Sequence, residues 1–344
     1  MAELLTISET DLKKYLSDIR QPSFRTAQIL QWIYQKKAST WEEMTDLPKD
    51  LREQLASHFS LDSLKLVRTL DSDDGDTTKY LWKLPDDKLV ESVLIRAPDR
   101  RTVCVSSQVG CPARCAFCAS GKKGWIRNLT SSEIVEQVLQ IDRLLHKIDE
   151  RVCHIVFMGM GEPFENYEAV TEAIKILSDP KGLHISHRKI TVSTVGIVNQ
   201  IRRFADEGYK VPLVLSLHAP TQELRQKIIP YARKNPLPDL LMAMLYYHDK
   251  SGRDITYEYT LMAGLNDSIQ HAKQLAALVK GHPCTVNLIP YNPVEGLILK
   301  RPIKEDIEAF RQVLEEARIP TTWRYTKGKD IAAACGQLAL QTVS

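Results

Sequence analysis

From about residue 100 onward, runs of β-branched and aliphatic residues alternate with amphipathic stretches at helical spacing, and this alternation decides the fold class. The spacing predicts strands over 102–107, 152–158, 189–194, 212–218, 256–262 and 285–290. Helices are expected to begin near Ser132, Asn166, Ile197, Leu237, Ser268 and Lys304. Strands separated by helices run parallel, because the crossover returns the chain to the end of the sheet from which it started. Such an α/β chain of six units makes a partial (β/α)6 barrel or an open doubly wound sheet, and in both the ligands gather at the carboxyl ends of the strands. We bound this barrel at 101–300.

Ahead of it, residues 1–60 read as a small helical domain. Ser8 caps a helix bearing Leu12, Tyr15, Leu16 and Ile19, a second helix fits 26–36, and a third fits 47–59. Residues 61–100 read as a β-rich connecting segment with strands near 65–69, 78–84 and 90–97. The acidic stretch 71–76 reads as no more than a turn-rich connection. A C-terminal helix–strand segment, 301–344, completes the chain.

The 344 residues are 43% hydrophobic and 26% charged, enough to bury a large core without disulfide staples. No run of 18 apolar residues occurs, so no spanning helix and no membrane partner are expected. The acidic, amphipathic start lacks the order of a signal peptide. Seven cysteines, three of them crowded into 111–118, read as reduced cytoplasmic thiols with a metal or redox task. A net charge of +3 neither demands nor excludes nucleic acid. Local clusters say more: Arg96, Arg100 and Arg101; Lys122, Lys123 and Arg127; His187, Arg188 and Lys189; Arg233 and Lys234; Arg324, Lys327 and Lys329. Each alone is ordinary solvated loop charge, but several beside reactive cysteines favour a polyanionic substrate.

C-P-A-R-C-A-F-C places Cys111, Cys115 and Cys118 in one tight loop after the first barrel strand. Three thiolates can hold three irons of a [4Fe–4S] cluster and leave the fourth open to a small ligand. The competing reading is a structural zinc site completed by His154 or His218. Two functional classes therefore stand beside each other on spacing alone, a redox enzyme and a zinc-bearing nucleic-acid binder.

With Phe117 as its aromatic position, C-x3-C-x-φ-C resembles the signature of the radical S-adenosylmethionine (SAM) superfamily. Gly159-Met160-Gly161-Glu162-Pro163, after the second strand, is similar to that superfamily's GGE-type motif. The resemblance implies that SAM chelates the open iron and is cleaved to a 5′-deoxyadenosyl radical. C-V-S-S-Q-V-G-C at 104–111, R-N-L-T at 127–130, M-G-M-G-E-P at 158–163, S-L-H-A-P at 216–220, N-L-I-P-Y-N-P at 287–293 and D-I-A-A-A-C-G-Q-L at 330–338 resemble the RlmN/Cfr RNA adenine methyltransferases.

That resemblance implies a role for each matching residue. Cys335 accepts a methyl group, Cys104 is its partner thiol, and Glu91 lies near the target adenine. Gly161, Glu162, Ser193, Ser216, Leu217, His218 and Asn292 contact SAM. It further implies that the helical head 1–60 is an RNA-binding accessory domain, and that the enzyme uses two SAM molecules per turnover, 23S ribosomal RNA and transfer RNA as substrates, and a flavodoxin or ferredoxin as electron donor to a monomeric enzyme. Cys153 and Cys284 match no functional position and read as structural. RlmN members modify carbon 2 of adenine and Cfr members carbon 8; Pro163 favours the former. S-G-K-K-G-W at 120–125 and T-K-G-K-D at 326–330 depart from the usual pattern, which bears on substrate preference. A radical SAM enzyme acting on a substrate other than RNA is the remaining alternative.

Overall fold

The structure, a computed structural model, describes residues 2–323 and 327–338; Arg324 of the last basic cluster lies outside them. Its centre is a ten-stranded sheet whose strands follow one another in chain order. Seven run parallel: Arg100–Cys104, His154–Phe157, Ile190–Thr194, Leu213–Ser216, Ile255–Leu261, Cys284–Pro290 and Thr321–Trp323. A doubly wound sheet needs a reversal of strand order. None occurs here, so the expected partial barrel is the architecture, with a seventh parallel strand added to the six.

Residues 61–100 do more than connect. Lys65–Asp71, Thr77–Lys83 and Leu89–Ala97 extend the same sheet as antiparallel strands. Pro98 and Asp99 form the tight turn that lets Leu89–Ala97 fold back on Arg100–Cys104, with Val93 opposite Cys104.

The helix Ser131–His146 begins with a full capping box, Thr130 and Glu133, and is buried along most of its length. It also holds the helical head formed by Glu9–Asp18, Phe24–Tyr34 and Lys49–His58. The expected Ser8 cap is present, its hydroxyl accepting from Asp11 N–H at 3.0 Å. Buried Glu136 accepts from Ser63 N–H at 2.9 Å and Leu64 N–H at 2.7 Å. Arg143 pairs with Asp62 and donates to the Ala38 carbonyl at 2.6 Å, while Lys37 pairs with Asp142. These partners satisfy charges that burial would otherwise make costly. One apolar core runs from Leu12 and Ile33 of the head through Val103 and Ile155 to Phe310.

The segment 327–338 crosses the open side of the barrel. Lys327 pairs with Asp76 at 2.8 Å, and the Asp73 N–H donates to Asp330 at 2.8 Å. The acidic loop 71–76 is thus the dock for this segment, a role its turn-rich sequence alone does not disclose. Further along, Ala119 N–H donates to the Gly336 carbonyl and Ser120 to the Leu338 carbonyl, at 2.8 and 2.7 Å. Among the described residues no helix is long and apolar enough to cross a membrane.

Candidate active site

A cavity of about 490 Å³ fills the barrel. Its wall brings together Cys111, Cys115, Cys118, Gly161, Glu162, Ser193, Ser216, His218, Asn292, Cys104 and Cys335. Two of the expected residues are absent from that wall. Leu217 is fully buried in the core, and its N–H donates to the Glu258 carbonyl at 3.0 Å. Glu91 is buried and paired with Lys79 at 3.4 Å, and that ammonium also donates to the Ala332 carbonyl at 3.3 Å. Through Lys79, Glu91 is linked to the segment that carries Cys335.

The glycines of M-G-M-G-E-P are required by close backbone approach. A Cβ on Gly159 would lie 2.6 Å from the Val105 carbonyl oxygen. Gly161 has φ +109, and a Cβ there would meet Gln108 Cβ and Ser107 Oγ at 2.7 Å. With no side chains in the way, the Ser107 N–H donates to the Met160 carbonyl at 2.8 Å and the Glu162 N–H to Gln108 Oε1 at 2.8 Å. This zipping places the Glu162 carboxylate at the cavity wall. It accepts from Thr194 Oγ1 at 2.6 Å, Val195 N–H at 2.8 Å and Phe164 N–H at 3.0 Å. Burial outweighs these hydrogen bonds and raises its pKa to about 7.

The cysteine loop is fixed by Cys111 N–H to the Gly124 carbonyl at 3.0 Å and Ala116 N–H to the Ile228 carbonyl at 2.8 Å. Burial pushes the Cys111 and Cys115 thiols well above their ordinary range, and the neighbouring thiols add to the effect. Such thiols ionise only against a strongly cationic centre. Among the described residues, no three His, Cys, Asp or Glu side chains converge as a single metal ion requires. His218 cannot complete a zinc site: Thr260 N–H donates to its Nδ1 at 2.9 Å, so the ring proton sits on Nε2. Burial holds His218 neutral, with a pKa down at about 3. His154 opens its strand and lies at the far end of the barrel from the loop. The thiols fit a multi-iron cluster, which takes one thiolate per iron.

Comparison with known proteins agrees with this geometry. A profile of the radical SAM superfamily matches residues 105–276, and one of the ribosomal RNA large subunit methyltransferase N-terminal domain matches 2–61. A probable dual-specificity RNA methyltransferase RlmN 2 from Protochlamydia amoebophila is 58% identical over 330 residues, covering 96% of this chain and 92% of its own. The chain belongs to the RlmN family of radical SAM RNA methyltransferases. A Bacillus subtilis relative of the same description is 44% identical, covering 95% of this chain and 90% of its own. The crystal structure of a radical SAM methyltransferase from Sphaerobacter thermophilus superposes with a TM-score of 0.96 at 43% identity, covering 99% of this chain and 100% of that one. The protein is accordingly an RNA methyltransferase whose cofactors are a [4Fe–4S] cluster and SAM.

Arg225 is a buried cation beneath the strand ends of the site that the sequence does not announce. It sits on Gln222–Ile228, a short helix capped by Thr221 that spacing alone misses. Its guanidinium is fully buried and donates to the carbonyls of Leu217 at 3.2 Å, Ser216 at 3.2 Å and Val195. It thereby staples together two of the strand ends that carry Ser193 and Ser216. Its Nη1 has no partner among the described residues. Burial lowers its pKa to about 10, opposed by the nearby Cys115 and Glu162 charges. Arginines are mostly exposed, so nothing in the sequence marks this one as interior.

Proposed function

We propose that this enzyme methylates carbon 2 of adenine in 23S ribosomal RNA and in transfer RNA, with Cys335 as methyl carrier and Cys104 as resolving thiol. The observation that supports this reading is that both thiols line the one cavity that also holds the cysteine loop and the Glu162 turn. Carbon 2 is electron-poor and offers no lone pair to a methyl donor, so a simple displacement on SAM cannot place a methyl there. When bound, the reduced cluster supplies the electron that splits SAM and so provides a hydrogen-abstracting radical.

In this reading the chain handles the methyl group itself. Cys335, as a thiolate, takes the methyl from one SAM by displacement. A second SAM would be held by the carboxylate of Glu162, which suits its ammonium, and by Ser193, Ser216, His218 and Asn292, which share the cavity wall. The Asn292 amide also donates to the Cys335 carbonyl at 3.2 Å, which ties the acceptor segment to the SAM side of the cavity. After hydrogen removal, the Cys335 methylene joins carbon 2, and the adduct gives up one electron, which the bound cluster would take back, and the carbon 2 proton, leaving a closed-shell thioether. Cys104 as thiolate then attacks the Cys335 sulfur, the sulfur–carbon bond breaks as the disulfide forms, its electron pair takes up a proton to complete the methyl group, the methylated base leaves, and an external dithiol restores both thiols. A flavodoxin or ferredoxin donates the cluster's electron. Pro163, buried at the start of the turn Pro163–Asn166, supports carbon 2 over carbon 8.

The test is Cys104→Ala. The variant should still attach Cys335 to RNA but fail to release it, giving a protein–RNA adduct on a denaturing gel. Cys335→Ala, alone or combined with Cys104→Ala, should give no adduct. Free, normally methylated RNA from Cys104→Ala removes Cys104 from the mechanism.

A further inference from the structure

The cavity runs the length of the barrel, and its two ends differ in kind. At the strand-end mouth the cysteine loop and the 333–338 segment lie across the opening, joined by the Ala119–Gly336 and Ser120–Leu338 hydrogen bonds. At the strand-start end, the wall is formed by Arg100, His154, Lys189 and Lys327. Parallel strands bring all their starts to one rim, which is why clusters distant in sequence meet there. Thr102 pairs with His154, and Ile190 pairs with Ile155, so Arg100 and Lys189 flank His154.

Not all of these cations are available. Lys327 is held by Asp76 and Arg101 by Glu150. Arg100, Arg188 and Lys189 are exposed, and none of the ion pairs among the described residues engages them. Asp99, beside Arg100 in its turn, is a carboxylate on this rim and is exposed as well. The positive field reaches His154, whose pKa is lowered by burial and then by Arg100 and Lys189.

We infer that the RNA backbone docks across the strand-start rim, with Arg100, Arg188 and Lys189 neutralising phosphates, and that the target nucleotide enters the cavity from this end. The inference rests on the RNA-substrate reading and adds the face and the direction of entry. Arg100 and Lys189 in the cavity wall and Arg188 next to Lys189, without ion pairs among the described residues, suit a phosphodiester strand, because a splayed-out base can enter while its flanking phosphates stay at the rim. An acidic protein partner is the competing occupant.

The experiment uses the full chain with its cluster reconstituted and, as probe, a 23S ribosomal RNA fragment containing the adenine that the wild type methylates. Affinity is measured by fluorescence anisotropy across a salt series for wild type, for Arg100→Ala/Arg188→Ala/Lys189→Ala and each single variant, and for Lys227→Ala/Arg233→Ala/Lys234→Ala on the opposite rim. Each lost phosphate contact lowers the slope of log affinity against log salt by roughly 0.7–0.9. The strand-start triple should therefore lose about two slope units and bind at least about tenfold more weakly at low salt, with each single variant losing a share. The opposite-rim triple should match wild type, and cluster absorbance should be unchanged in all. A wild-type slope in the strand-start variants, or the loss appearing in the opposite-rim triple, overturns the inference while leaving the RNA reading intact. A wild type that fails to methylate the fragment overturns both.

Discussion

Replacing Gly161 with alanine tests the structural logic of the M-G-M-G-E-P turn. Two costs add. The backbone at φ +109 is a conformation that side-chain-bearing residues avoid, at about 1–2 kcal/mol. The new Cβ would also sit 2.7 Å from Gln108 Cβ and Ser107 Oγ and 2.8 Å from Gln108 N, contacts that force the 105–108 backbone away and cost about 1–3 kcal/mol. The expected total is about 2–5 kcal/mol, a large part of a typical stability of 5–15 kcal/mol. Gly252 isolates the first cost: it has φ +65 at the end of Leu237–Ser251 with nothing within 4 Å of its would-be Cβ. Equilibrium urea unfolding of Gly161→Ala and Gly252→Ala should therefore separate them, the former being more destabilised by about 1–3 kcal/mol. Gly161→Ala should also bind SAM more weakly, because the same shift moves the Glu162 carboxylate off the wall. If the two variants are equally destabilised, the close-approach argument is wrong.

Glu91→Gln leaves the Lys79 ammonium buried without its counter-charge, which costs about 3–5 kcal/mol; thermal denaturation should show the loss, and methyl transfer to Cys335, read by peptide mass spectrometry, should fall because the Lys79–Ala332 contact loosens. Unchanged stability would show that this pair is not the anchor of the segment. Glu162 gives a pH signature. Its folded pKa of about 7 lies above the unfolded value, so the native state holds the proton more tightly and stability is lost as pH rises toward and through 7. In protein lacking cluster and SAM, the stability of wild type relative to Glu162→Gln should fall by about 3 kcal/mol from pH 4 to pH 8, at 1.36 kcal/mol per unit. A difference that does not move with pH contradicts this assignment.

Much of the molecule is legible in the sequence because its elements repeat one pattern. Each of the six strand–helix units has a buried, β-branched strand and an amphipathic helix, and periodicity reads both. The three cysteines and the G-x-G-E turn are legible because their spacing is local. What escapes is long-range. Asp73 and Asp76 look like turn residues until Asp330 and Lys327 arrive from the other end of the chain. Arg225 looks like a surface residue until its helix packs under the strand ends. Glu91 matches a family position, yet its ion pair with Lys79 depends on a neighbouring antiparallel strand whose register no motif records.

The most direct measurement is nucleoside mass spectrometry of ribosomal RNA methylated in vitro by the reconstituted enzyme, using SAM with deuterated methyl groups. The account predicts 2-methyladenosine whose new methyl retains two deuterons, because Cys335 gives up one during hydrogen abstraction. An 8-methyladenosine product would contradict the carbon 2 assignment, and a methyl retaining three deuterons would contradict passage through Cys335.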